Sequence, residues 1–566
     1  MSRKTVSLIL SLLIVSSMLL AACQPAPAET PAAPAATEAP AATEAPAATE
    51  APAATEAPAP VAPSAPSRIV YGDTDTYYTF DVFVSSSQWV QVYAIYDMLF
   101  VLGPDGTEYY GVLAEEWSTS EDGLTVTIKL REGVTFTDGT PVDAEAIKWD
   151  LDYYRDPELG SAFGGWMTDV VDDVIVVDEL TLNVILKEPY APFFYWMSQM
   201  CFPSAKAFQE LGPEAFAMAP VGSGAFKVKE IIPDVSVVYE KNPDYAWYPG
   251  FIKNPGPSKV DEFMVKFNLA DEVIYAQLET GEIDVAAVPA QMVEKAKSNP
   301  NLELTEGVQA GQRYLGFNTE KAPYNDVAFR KALAFAIDRE ELVTVGYEGE
   351  AIPVWTPLSP AIFGWSDAYE AEASASEPFD PEEAIKRLDE AGYVDANGDG
   401  VRDMKDGSPM LLKLAYSEGT INKLVSETLQ GQLADIGLSV EILPLDGQTI
   451  MDSTRQGTHD MIYWSFGLSD ATIFGYLFLS NRIGGSNRTR YNSPEIDALI
   501  GDMERAMDPE VRKLKAIEVM KHVVANRPMI SLLAEKRYYA VRADKFSGVI
   551  FSPDGTPYFG DAEPVK

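Results

Sequence analysis

Four consecutive copies of the unit APAATE place Glu38, Glu44, Glu50 and Glu56 in register at a six-residue period. From Gln24 to about Arg68 almost no large apolar side chain occurs, so this stretch cannot bury enough surface to offset the entropy of ordering it. Its frequent prolines favour extended backbone at roughly 3 Å per residue, the behaviour of a spacer. The fold must therefore be built from the roughly 500 residues that follow.

The residues before the spacer bear on the compartment. Arg3 and Lys4 precede an apolar run from Val6 to Leu20, and "LAAC", Leu20 to Cys23, closes it with small residues. A basic start, an apolar stretch of this length and a small-residue box read as an export signal. The run falls short of the roughly 20 apolar residues that a membrane span needs. The box resembles the bacterial lipoprotein signal. That resemblance implies that residues 1–22 are a signal peptide and that 23–67 is a tether. Cys23 is then lipidated and anchors an extracytoplasmic protein to the cell membrane. Cys201 is left alone, no internal disulfide is available, and stability must come from core packing.

At 46% hydrophobic residues the body can supply a core, and its length exceeds one core, so two or three domains are expected. The formal net charge of -42 argues against nucleic acid and against electrostatic docking on anionic lipid. Only His459 and His522 are present, which leaves little material for His-based metal sites or His-driven nucleophiles. No phosphate-loop pattern occurs, and "GSG" at Gly222 to Gly224 is too short for one. A glycosidase needs only two placed carboxylates, and 85 acids leave that class open. Binding without chemistry or a cofactor is the favoured reading. One stretch resembles a metal loop: "DANGDGVRDMKD" sets Asp395, Asn397, Asp399 and Asp406 at ligand positions of a calcium-loop template. Asp406 stands where Glu is usual, and Asn-Gly and Asp-Gly are turn signals, so a turn is the first reading and calcium the second.

Local patterns give a mixed α/β chain. "LTVTIKL" alternates Val126, Ile128 and Leu130 with polar residues, as a half-buried antiparallel strand does. "TPVDAEAIKWDLDYY" then turns to helical spacing, with Ala146, Trp149 and Tyr153 along one side. "NDVAFRKALAFAID" places Phe329, Leu333, Ala336 and Ile337 on one helix face, with Asp326 as N-cap. "MLLKLAY", a helix from Ile421 to Ile436 ended by Gly437, and "LSVEIL" form a β-α-β unit and hence parallel sheet.

Seven segments then stand in a recognisable order: "IYDMLF" at Ile95, the block "LAEEWSTSEDGLTVTIKLREGVTFTDG" onward from Leu113, "PVGSGAFKV" at Pro220, "NPDY" at Asn242, "LETGEIDVA" at Leu278, "GFNTEKAPYNDVAFRKALAFAIDREELV" at Gly316 and "RYNSPEIDALI" at Arg490. Together they resemble the extracellular solute-binding proteins of the dipeptide/oligopeptide/nickel type, family 5, the receptors of ABC importers. The resemblance implies an α/β, two-lobed periplasmic-binding-protein-like fold with an additional inserted domain and mixed sheets. The base lobe would comprise 68–108, 215–305 and 535–566, the inserted domain 109–214, and the far lobe 306–534. Closure would bend the chain near "GFNT", Gly316 to Thr319, and near "AEKRYYAV"; Asn318 in the first is an expected ligand contact.

"YWSFGLSD", Tyr463 to Asp470, follows a strand with apolar residues on both faces and leaves its carboxyl end, where ligands of α/β sheets gather. In the family the loop after this tryptophan faces the cleft, and peptide-binding members carry an Asp three residues beyond it for the peptide ammonium. Here that place is Gly467, and Asp470 is the candidate substitute. Trp464 and Tyr463 are candidate sugar platforms instead. "SSSQW", with Ser86, Ser87, Gln88 and Trp89, is a second candidate contact from the base lobe, or else a helix cap. The expected function is a monomeric, non-enzymatic receptor that passes an oligopeptide-like solute to ABC permease subunits. An oligosaccharide receptor and a surface carbohydrate-active enzyme are the alternatives.

Overall fold

One strand, Met529–Arg542, serves two sheets. Its first half pairs antiparallel with Gly311–Phe317 and with Ala351–Pro353. Its second half pairs with Leu302–Val308 and with Val285–Val288. The computed structural model describes residues 66–566 except 77–78, 85–89, 107, 162, 553–554 and 566. Cys23 and the expected tether up to residue 65 lie outside the described residues, as does the Ser86–Trp89 cluster, whereas Ser67, assigned to the tether, bonds Asp261 beside the first base-lobe strand. Among the described residues no helix is long and apolar enough to cross a membrane.

The far lobe's sheet runs Val440–Leu445, Leu412–Ser417, Met461–Gly467, Gly311–Phe317 and then the first half of the long strand. The first three are parallel to one another, as the β-α-β pattern predicts, with helix Thr420–Asp435 as the crossover. Both faces of this sheet are covered. Leu315, Phe317, Leu414, Tyr463 and Ile530 pack into one core, and Tyr314, Ala415, Ile462 and Met529 into another. The base lobe continues the long strand through Val285–Val288, Arg68–Gly72, Glu262–Lys266, Ser236–Lys241 and Phe226–Ile232. A separate antiparallel sheet, Ala114–Thr119, Thr125–Leu130, Thr181–Leu186 and Val171–Asp178, forms the insertion. Its Val126, Ile128 and Leu182 share one core with Ile69, Tyr239 and Phe263 of the base.

The expected crossing at Gly316–Thr319 is corrected. Gly316 and Phe317 pair with Ile462 and Met461 inside the far sheet, whereas Leu302–Val308 still pairs with the base half of the long strand. The chain therefore crosses between Val308 and Gly311, and the far lobe begins after Val308 rather than at 306. The second crossing lies inside the long strand, where Glu535 pairs with Ala351 and Lys536 with Val308.

Asp326 caps helix Val327–Phe335 by accepting from the amide of Ala328, and Phe329 and Leu333 are buried. In helix Ala144–Tyr154 the expected side, Ala146, Trp149 and Tyr153, is half-buried, and the fully buried side is Ala144, Ile147, Leu151 and Tyr154. Asp150 is buried with them, and neither carboxylate oxygen has a hydrogen bond among the described residues. Burial drives its carboxyl well above the usual carboxylate range. Because that shift is upward, stability is complete below the ordinary aspartate range and falls as pH rises through the folded value. Asp150→Asn is expected to stabilise the protein by about 1–3 kcal/mol at pH 7. It should also flatten the decline of melting temperature with rising pH, and a variant that melts with the parent's pH profile would contradict this.

The candidate ligand cleft

Period two along Met461–Gly467 divides its side chains. Met461 and Tyr463 enter one core of the far lobe, while Ile462, Trp464 and Phe466 face the other side. Gly311 lies opposite Gly467, and a β-carbon on Gly311 would meet the carbonyl of Phe466 at 2.0 Å, so the two strand ends close on each other only with glycine there. Beyond this edge two spaces open between the lobes. One, of about 360 Å3, has Tyr314, Trp464, Phe466 and Arg488 on the far side and Tyr93, Tyr195, Trp196 and Gln199 opposite. The other, of about 460 Å3, adjoins it through Tyr93, Gln199 and Gly467 and reaches the 305–310 crossing, Arg537 and Tyr539. The two together form a cleft at the chain crossings.

The expected site residues divide. Trp464 and Gly467 line the cleft. A β-carbon on Gly467 would approach nothing closer than 3.4 Å, so the position is open toward the cleft. Tyr463 is corrected to a core residue: it is 1% exposed, and its hydroxyl lies 3.3 Å from that of Tyr347. Tyr463 and Trp464 point to opposite faces of one strand and cannot form a joint sugar platform. Asn318 is also corrected. It is fully buried, and its amide donates to the carbonyls of Gly457 and His459, which fixes the turn before the strand.

Asp470 is corrected as an ammonium anchor. It is 4% exposed, and its two oxygens accept from the Arg512 guanidinium at 2.5 and 2.7 Å. Such a bidentate buried pair leaves no open position for a ligand cation. In the Asp395 loop, Asp395 accepts from the amides of Gly398, Asp399 and Gly400, Asn397 from Asp399, and Asp406 from Ser408. These are turn bonds, in keeping with the turn as first reading, and among the described residues no group of three His, Cys, Asp or Glu side chains is placed to hold a metal ion. Burial pushes His459 down to about 4, so its ring is neutral near pH 7.

Of the arginines near the loop, Arg490 pairs with Glu320 at 2.6 Å and Arg482 faces Asp169 at 3.7 Å. Arg488 lies in the cleft with its guanidinium 5.3 Å from the Trp464 ring, and no carboxylate is in reach among the described residues. Arg537, exposed at the second crossing, is the other cleft cation, and it too forms no ion pair among the described residues. Glu306 across the same space stands 3.8 Å from Lys536. Arg537, Tyr195 and Trp196 escaped the sequence reading. The aromatic density of "PFFYWM" and the place of Arg537 in the predicted crossing "AEKRYYAV" were the available signals.

The inserted domain touches the far lobe beside the cleft. The amide of Ala191 donates to the carbonyl of Glu504 at 2.7 Å, and Trp196 meets Tyr476 at 5.9 Å between ring centres. Tyr190 and Tyr109 face Glu504, Asp470 and Arg512. Burial, with Asp470 nearby, raises the Glu504 carboxyl to about 7 despite Arg512, Thr472 and Arg482.

The pattern of "Bacterial extracellular solute-binding proteins, family 5 Middle" matches residues 108–486. The glutathione-binding protein GsiB of Salmonella paratyphi A is 29% identical over 483 residues, 83% of this chain and 89% of that one. In fold, the oligopeptide-binding protein AppA from Bacillus subtilis, in complex with a nonapeptide, superposes with a TM-score of 0.70 at 22% identity, over 89% of this chain and 100% of that one. NikA from Brucella suis, in complex with Fe(III)-EDTA, gives 0.76 at 22% identity, over 88% and 100%. With a two-lobed fold, a cleft at the crossings and a family pattern spanning most of the body, the chain belongs to the bacterial extracellular solute-binding proteins of family 5, the solute receptors of ABC importers.

Proposed function

We propose that the protein captures a peptide in the cleft, closes on it, and presents it to membrane permease subunits as a monomer held by lipid on Cys23, without catalysing a reaction. The observation that carries this reading is the charge lining the cleft. Arg488, braced on Trp464 and lacking an acid partner among the described residues, offers a planar fork for a peptide carboxylate. Gly467 leaves the family's ammonium position empty, and Asp470 cannot replace it because Arg512 occupies it. In this reading Arg488 holds the ligand by its carboxylate end, while Glu306 and Asp105 are acids on the wall of the adjoining space. The glutathione and oligopeptide relatives support the peptide class. A sugar reading keeps one specific support, the rings of Trp464 and Phe466 on the same strand face. Native mass spectrometry of the purified chain decides between them: co-purifying masses that fragment as peptides uphold the proposal, and hexose or pentose spacing overturns it.

Arg488→Gln should weaken binding of a free-carboxylate peptide about 10- to 100-fold, the worth of one charged hydrogen bond. Amidating the peptide should cost the parent the same factor and the variant almost nothing. Titration calorimetry on the four combinations measures the coupling, and additive losses would remove Arg488 from the site. Gly467→Asp should create a preference of about tenfold or more for free over acetylated amino termini, which the parent lacks.

On this reading the arrangement in which the Ala191 amide meets the Glu504 carbonyl is the closed one, and opening would expose the Glu504 carboxyl and return it from about 7 toward the ordinary glutamate range. Closure then takes up a proton. Its gain is complete below the ordinary range and disappears as pH rises through about 7. Peptide affinity should rise roughly tenfold from pH 8 to pH 6, and Glu504→Gln should flatten that slope. An unchanged slope in the variant would show that closure and Glu504 are not linked.

A further inference from the structure

A chamber of about 90 Å3 opens off the cleft into the base lobe. Tyr93, Gln199, Ser469 and Ser552 line both the chamber and the larger cleft space, so they form its mouth. Behind the mouth, Ala94, Met98, Val101, Leu102, Val112 and Phe559 present apolar surface. The acid on its wall is already engaged. Asp97 is 6% exposed; it accepts from Tyr245 at 3.1 Å, from Ser223 at 2.9 Å and from Trp247 at 2.8 Å. No lysine or arginine stands among its described lining residues. The hydroxyl of Tyr248, on the same wall, is buried and has no hydrogen-bond partner among the described residues.

We propose that this chamber is a side-chain subsite that takes one uncharged apolar side chain of the bound solute, aliphatic or aromatic, with Tyr248 free to meet a single polar tip. The inference rests on the peptide reading of the cleft and adds a preference for what the peptide carries. Apolar surface that enters the chamber leaves water for a wall of like character. A glutamate side chain would enter against the Asp97 carboxylate with no cation on the described wall, and a lysine would leave water for a carboxylate that already holds three donors. Ser469 comes from the loop after the far-lobe strand, so a filled chamber also adds contact across the cleft and favours the closed arrangement.

The test is calorimetric titration of the full-length chain with Ala-Ala-Ala and with variants carrying Gly, Leu, Phe, Lys or Glu at each position in turn. At one position Leu and Phe should bind at least tenfold tighter than Gly, and Lys and Glu at least tenfold weaker than Leu. Ala94→Leu fills the chamber and should lower the Leu-over-Gly ratio below threefold. Leu102→Ala enlarges it and should raise the Phe-over-Leu ratio, and this variant decides the matter if Ala94→Leu does not fold. Equal affinity for all side chains, or ratios unmoved by a folded variant, overturns the subsite and leaves the peptide reading intact. If none of these peptides binds the parent, the peptide reading falls and the subsite with it.

Discussion

Two sheets hung on one backbone set the terms for everything else here. The amides and carbonyls of Met529–Arg542 complete the far sheet over its first half and the base sheet over its second. Sliding this strand by one residue would exchange its side chains between the two packed faces of the sheet in both lobes at once. Register therefore fixes the two lobes against any shift along this strand, and the hand-over lies at Glu535 and Lys536. Arg313 pairs with Glu535 at 2.6 Å at that point, and Tyr347 reaches the same carboxylate at 3.3 Å. The hand-over is thus ionically tied on the far-lobe side, and the cleft lies where the sheets part.

Charge in the cleft follows from where acids are buried. Asp470, the acid nearest the binding strand's end in sequence, is turned inward and neutralised by Arg512. A buried pair of this kind contributes little net stability, but losing either partner leaves a charge stranded in the core. Holding Asp470 inside removes a negative group from a cleft whose far wall carries Arg488. In a protein of formal charge -42, Arg488 and Arg537 thus line the cleft without an ion pair among the described residues, although Glu306 and Asp105 stand on the wall beside Arg537.

Much of the fold was legible because it rests on short-range pattern. The β-α-β unit, the Asp326 cap and the antiparallel strand at Thr125–Leu130 depend on neighbours a few residues apart. Errors arose where a remote partner decides. Asp150 interrupts the apolar stripe of its helix, so spacing pointed to Ala146, Trp149 and Tyr153, while a core built from distant strands buried the adjacent face. Asn318 and Asp470 are polar residues in cleft-facing contexts by sequence, and only the carbonyls of Gly457 and His459 and the guanidinium of Arg512 show them to be structural. Tyr463 and Trp464 could be assigned to opposite faces, but not to core and cleft, until both faces of the sheet were seen to be covered.

The strand Met461–Gly467 carries one further consequence. Met461 and Tyr463 enter one core of the lobe, whereas Ile462 enters the other and Trp464 and Phe466 pack at that core's edge, where it becomes the cleft wall. One core thus ends in the wall of the cleft, and the other lies behind it on the far side of the same strand. A change at Trp464 can reshape that wall without touching the Tyr463 contact to Tyr347, but it must still be accommodated by the core that Ile462 fills.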